Sequence, residues 1–232
     1  MQTMLHKSMC LAICCIIGLA ASVCMGAEWQ TAQIGDGTQG DATITNSEIT
    51  VNAITGDIWG AADTAVYVYQ EASGDVDFSA RVKEYNPSNP GWGKAGLMIR
   101  QSVDADAANA FINLTLENGL KLIHRDTVGG DTGPGDAGVA FDLPIHLRLT
   151  RTGNRITAFT SQDGSAWQEA GGGTGPSADI PMTGPIVVGL ALSSNDAASA
   201  SIVFDRFGGT VVTSVEPQEK LTTTWARLKT TD

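Results

Sequence analysis

Ala110-Phe111-Ile112-Asn113-Leu114-Thr115-Leu116, Glu117-Asn118-Gly119, Leu120-Lys121-Leu122-Ile123-His124-Arg125 is the stretch that decides the fold class. Two runs with period-two alternation flank an Asn-Gly pair, the residues that most readily adopt the left-handed backbone of a tight hairpin turn. The segment therefore reads as two antiparallel strands, each with one face toward a core. Working outward, the same alternation recurs at Ile49 to Ala53, Ala65 to Gln70, Val76 to Val82, Lys94 to Gln101, Ile145 to Thr152, Arg155 to Ser161, Ala166 to Ala170, Ile186 to Ser193 and Ala200 to Gly208. Thr152-Gly153-Asn154 and Asp163-Gly164 supply further tight turns. Two connections, Thr127 to Gly138 and Gly171 to Pro185, are long and rich in Gly, Pro, Asp and Thr. With many strands and no helical periodicity between them, the chain predicts an all-β domain whose sheets pack on each other or close as a barrel.

The first residues read differently. Lys7, an apolar run from Cys10 to Val23 and small residues around Gly26 and Ala27 form the three parts of a secretory signal, so residues 1–26 are expected to be removed after Gly26 or Ala27. The apolar run is short for a bilayer span, which needs about 20 residues, although a retained anchor is the alternative. All four cysteines (Cys10, Cys14, Cys15, Cys24) fall inside this segment. A mature chain without them forms no disulfide and offers no thiolate chemistry. The full chain carries a net charge of −11, which argues against nucleic acid and anionic membranes as partners, because both need a basic footprint. Expected localisation is extracellular or periplasmic. Residues 28–209 are expected to form one domain, and residues 210–232 a polar tail.

Gly56-Asp57-Ile58-Trp59-Gly60, Asp63, Tyr67-Val68-Tyr69-Gln70, Gly74-Asp75, Trp92-Gly93-Lys94-Ala95-Gly96-Leu97-Met98-Ile99-Arg100, Ser161-Gln162-Asp163-Gly164-Ser165-Ala166-Trp167, Val188-Gly189-Leu190-Ala191 and Phe204-Asp205 together carry a resemblance. The chain is similar to the concanavalin A-like (laminin-G-like) jelly rolls that occur alone in secreted bacterial proteins and appended to β-xylosidases. That resemblance implies an antiparallel two-sheet jelly-roll sandwich with one curved sheet, and carbohydrate recognition rather than catalysis. The alternating Glu-x-Asp-x-x-Glu strand of laminarinase-type enzymes on this fold is absent from the sequence.

The candidate chemistry follows from strand parity. If Leu97, Ile99, Ile112, Leu114, Leu120, Leu122, Leu147 and Leu149 face the core, then Arg100, Asn113, Lys121, Arg125, His146 and Arg148 face outward, and Arg81 follows from Phe78, Ala80 and Val82. A face collecting these cations suits sugar hydroxyls and, still better, uronic or sulfated groups. Trp59 and Trp92 are placed to stack on a pyranose ring. The expected ligand-binding set is Trp59, Trp92, Arg100, Asn113, Arg125 and Arg148 on a concave sheet face, with polysaccharide as partner. The competing readings are arginines paired with neighbouring carboxylates, a protein-interaction or adhesive surface, and a glycosidase with an unusual acid pair. Asp75 and Asp77 share a strand face, but Gly74-Asp75 reads as the entry to a strand and Asp77 as its exposed side. His124 and His146 are too few for a zinc site, and no Gly-x-Ser-x-Gly turn accompanies them. No cofactor is expected. A structural calcium would draw on Asp104 and Asp106, or on Asp126, Asp131 and Asp136, although neither group matches a dedicated loop. Asp163-Gly164 before Trp167 is one residue short of an Asp-box, and a plain hairpin accounts for it. Asn113-Leu114-Thr115 is a glycosylation sequon lying inside a strand, where it is a poor acceptor.

Overall fold

The computed structural model describes residues 28–195 and 198–210. The export signal and the C-terminal tail read from the sequence lie outside the described residues, except for Thr210. Among the described residues, sixteen strands run in chain order: β1 (Gln30–Ile34), β2 (Gln39–Ile44), β3 (Glu48–Ile54), β4 (Ile58–Trp59), β5 (Ala62–Asp63), β6 (Ala65–Ala72), β7 (Val76–Pro87), β8 (Lys94–Arg100), β9 (Asn109–Thr115), β10 (Gly119–Arg125), β11 (Ile145–Thr152), β12 (Arg155–Ser161), β13 (Gln168–Glu169), β14 (Ser177–Asp179), β15 (Ile186–Ser193) and β16 (Ser199–Gly209). One sheet has the order β1-β6-β15-β8-β9-β10. The other runs β13-β12-β11-β7-β16-β3-β2 with β14 beside β12, and β4 and β5 form a separate small hairpin. Every pairing in both sheets is antiparallel.

The expected parity holds strand by strand. Leu97, Ile99, Ile112, Leu114, Leu120 and Leu122 from one sheet and Val51, Phe78, Ala80, Leu147, Leu149, Ile202 and Phe204 from the other form one buried core between the sheets. The Asn118-Gly119 turn joins β9 to β10 in the register Thr115 opposite Gly119. Gly119 is required there: its φ is +78°, and a Cβ at that position would meet the Val139 carbonyl oxygen at 2.7 Å.

Five strands were not legible in the alternation: β1, β2, β4, β5 and β14. β1 and β2 are edge strands paired on one side only, and their polar residues need not alternate with apolar ones to keep water off a second face. The β4–β5 hairpin pairs with neither sheet. It lies across the outer face of the six-stranded sheet, where Ile58 joins Ile34, Tyr67, Met98, Phe111, Ile123 and Ala191 in a second apolar cluster. That sheet is buried on both faces. The open concave surface expected of it is instead covered by the hairpin and by the connections around Ala105 and Thr132, which bond to the hairpin through Asp63 N to Ala105 O (2.9 Å) and Thr132 N to Gly60 O (2.8 Å).

Candidate ligand-binding site

Cross-strand register sorts the outer face of the six-stranded sheet into rows. Arg100, Asn109 and Arg125 are directly opposite one another on β8, β9 and β10; Met98, Phe111 and Ile123 form the next row; Gly96, Asn113 and Lys121 the one after. Lys94 opens β8 beyond them, opposite Ser193 of β15.

The first row is a structural device. Asp63, at the end of the β4–β5 hairpin, drops its carboxylate between the two arginines: Arg100 Nη1 donates to Oδ2 at 2.5 Å, Arg125 Nη2 to Oδ1 at 2.6 Å and Nη1 to Oδ2 at 2.9 Å, and Asn109 Nδ2 to Oδ2 at 3.2 Å. All three charged side chains are 0% exposed. Further guanidinium hydrogens go to carbonyls of Ser102, Asp104, Gly130, Ala107 and Gly60 and to the Thr132 hydroxyl, so the arginines clamp three connections onto the sheet. Full hydrogen bonding is what makes such burial tolerable, since an isolated buried charge costs far more than its pairing returns. Arg100 and Arg125 therefore do not stand on an open face as expected.

Arg148 departs in another way. It lies on β11 of the opposite sheet, bonded to both oxygens of Asp77 (2.8 and 2.5 Å) and 5.6 Å from the ring centroids of both Phe159 and Trp167. Arg81 shares that sheet and is bidentate to Asp205. The cations gathered by parity are thus split between two sheets and largely paired. Parity fixes which side of its own strand a residue faces, but not which sheet the strand joins.

Trp59 lies on the β4–β5 hairpin over Lys94, and Trp92 lies on the connection that leads into Lys94 at the start of β8. Trp59, 40% exposed, sits with the Lys94 ammonium 5.8 Å from its ring centroid and with its ring edge facing Gly135, where an added Cβ would stand 3.4 Å from the ring. Lys94 Nζ is held in turn by Asp57 Oδ1 at 2.5 Å, and the same oxygen accepts from Ile58 N. Trp92, 54% exposed, precedes Lys94 by two residues on a short connection bonded at several points: Trp92 N to Asn89 Oδ1, Glu117 N to Pro90 O, and Asn118 Nδ2 to Gly91 O at 2.6 Å. Both rings stand on backbone that is already fixed.

Asn113 and Lys121 lie inside this end of the sheet. Asn113 is fully buried; its Nδ2 donates to the carbonyls of Lys121 and Phe111, while its Oδ1 has no partner among the described residues. Lys121 Nζ donates to the Asp136 carbonyl at 3.2 Å. Burial, followed by repulsion from Lys94, pushes the Lys121 ammonium below its ordinary pKa, against weaker pulls from Asp136 and Asp57. Sequence reasoning assigned no binding or pairing role to Asp57, Asp63, Lys94 or Asn89, and gave Asn118 only its place in the hairpin turn. Parity from Leu97 places Lys94 outward, but its partners come from distant segments.

Other candidates settle into local roles. His124 Nδ1 and Asp126 Oδ1 are 2.5 Å apart and line an open cleft with Asp131, Gly133 and Pro134. Asp75 accepts from Gly153 N, and Asp163 caps its own turn through Ser165 N and Ala166 N. Among the described residues, no three His, Cys, Asp or Glu side chains come together as a metal ligand set.

No family model matches the chain, and no curated protein matches it. Solved structures do. A functionally unknown protein from Saccharomyces cerevisiae aligns with a TM-score of 0.58 at 18% identity, covering 81% of this chain and 97% of that one. A carbohydrate binding module from Bacillus subtilis gives 0.49 at 14% identity over 80% and 96% of the two chains. A legume lectin-like domain from Entamoeba histolytica gives 0.49 at 11% identity over 76% and 89%. The chain is a two-sheet antiparallel jelly-roll sandwich of the concanavalin A-like kind. At 18% identity the likeness to the Saccharomyces cerevisiae protein bears on the fold alone and leaves the ligand to the side chains.

Proposed function

We propose that this protein is a non-catalytic recognition module, exported by its first 26 residues, that binds polysaccharide at the end of the six-stranded sheet marked by Trp59 and Trp92. One observation carries the reading: two tryptophans, 40% and 54% exposed, stand on hydrogen-bonded backbone beside fixed polar groups. Aromatic rings that remain accessible in the folded state supply the apolar faces on which sugar rings stack. Because the platforms are already ordered, little conformational entropy is lost on binding. The Asp57–Lys94 pair beneath Trp59 positions that ring through a cation–π contact rather than meeting the ligand.

The test is calorimetric titration of the protein with neutral, uronic and sulfated polysaccharides, with and without calcium. Binding to at least one that is lost in both Trp59→Ala and Trp92→Ala, with thermal stability unchanged, supports the site. Binding indifferent to both substitutions moves recognition elsewhere. Binding abolished by EDTA directs attention to the Asp126 and Asp131 cleft instead.

A further inference from the structure

The outer face of the eight-stranded sheet is not uniform. Over most of its width, outward side chains are tied up as ion pairs: Arg81 with Asp205, Lys83 with Glu48, Arg148 with Asp77, and Arg155 with Asp179. One corner lacks such pairing. There, cross-strand register sets Asp41 of β2 opposite Asn52 of β3, Asn52 opposite Ser201 of β16, and Ser201 opposite Asn86 of β7. These four form a continuous row across four strands on the solvent side, since their neighbours Ala42, Val51, Ile202 and Tyr85 turn toward the core. Gln39 and Ser199 continue the polar lining in the adjoining row, with Ile54 between them, 43% exposed. The same residues line a shallow cleft of about 360 Å³.

We infer that this corner is a second saccharide-binding surface, on the sheet opposite the tryptophans, which takes a neutral linear glycan laid across the strands. The chemistry of the row selects the ligand. Side-chain amides both donate and accept, hydroxyls do either, and this is the complement that sugar hydroxyls need. The single carboxylate of the row, Asp41, already accepts from Asn52 Nδ2 at 2.9 Å, and the row contains no cation to hold an acidic sugar. Exposed Ile54 offers the apolar contact for a ring face. Adjacent strands are about 4.8 Å apart, so the row presents polar groups at that interval over roughly 14 Å, the length of a short oligosaccharide. Without an aromatic platform such a surface binds weakly by itself. It gains its effect on long chains that also occupy the tryptophan site, where the second contact becomes intramolecular.

Isotope-labelled protein titrated with cellohexaose, xylohexaose and mannohexaose, followed by NMR, separates the two surfaces. The side-chain amide signals of Asn52 and Asn86 report this corner, and the indole signals of Trp59 and Trp92 report the other site. The inference expects the amide signals to shift with at least one hexasaccharide and to keep shifting in a Trp59→Ala/Trp92→Ala double variant, and expects the Ser201 backbone amide to need at least fivefold more ligand to shift when Asn52→Ala/Asn86→Ala is added to that double variant. Indole shifts without amide shifts overturn the second surface and leave the tryptophan site standing; amide shifts without indole shifts do the reverse. Silence at the amides with all three probes overturns the inference.

Discussion

Replacing Asp63 with alanine tests whether the Arg100–Asp63–Arg125 cluster is structural. Four hydrogen bonds converge on this carboxylate, at 2.5, 2.6, 2.9 and 3.2 Å, and its side chain and both guanidinium groups are 0% exposed. Truncation leaves two buried cations without their counter-charge, and breaking a buried pair in this way costs about 3–5 kcal/mol. A domain of this size is stable by roughly 5–15 kcal/mol, so the loss takes a large share of the total. At about 2–4 °C per kcal/mol for chains of this length, the melting temperature falls by roughly 6–20 °C. Urea unfolding of wild type, Asp63→Ala and Asp63→Asn measures it, the asparagine variant keeping the shape and one acceptor while removing the charge. Arg100→Ala and Arg125→Ala are expected to lose stability on the same scale. A loss below about 1 kcal/mol in Asp63→Ala would refute the reasoning, because it would mean that the arginines find equivalent partners or water without the carboxylate.

Three further outcomes are expected. Trp59→Ala and Trp92→Ala each weaken polysaccharide binding by about 2 kcal/mol or more, roughly thirtyfold, as truncated aromatic anchors do, while urea midpoints stay within experimental scatter; calorimetry beside unfolding curves checks both halves. Gly119→Ala destabilises by at least about 1 kcal/mol, since the residue sits at φ +78° with the Val139 carbonyl 2.7 Å from the added methyl; thermal unfolding reads it. His146 is held below its ordinary value of 6.5, first by burial and then by Arg81 and Arg206, so the folded state binds its proton less readily than the unfolded one. Its contribution is therefore lost as pH falls from about 6.5 toward the folded value. Asp205, lowered first by its hydrogen bond from Arg81, adds a loss only in the more acidic range below 3.8. Stability measured between about pH 7 and 5 is expected to fall in wild type and to fall less in His146→Gln.

Much of the architecture was legible because strand alternation is a local signal. Leu97 and Ile99, Ile112 and Leu114, Leu120 and Leu122 declare their inward side within their own strands, and Asn118-Gly119 declares the turn between two of them. The two strands of the β4–β5 hairpin were not legible, since two residues each are too few to show a period. Of the proposed contacts, Trp59 and Trp92 were named from the sequence by residue type alone; Lys94, which opens β8 under the Trp59 ring and two residues after Trp92, was not.

What the sequence determined by itself is the set of strands with their inward and outward sides. Only the tertiary structure decided what those outward sides meet. Arg100, Asn113 and Arg125 point outward as alternation requires, yet they are buried, because a hairpin and two long connections from elsewhere in the chain fold over their sheet. Arg148 points outward as well, but from the opposite sheet. The physical reason is one of range. Side-chain direction follows from the backbone of a single strand, whereas burial and charge pairing depend on contacts such as Arg125 with Asp63, 62 positions apart in the chain.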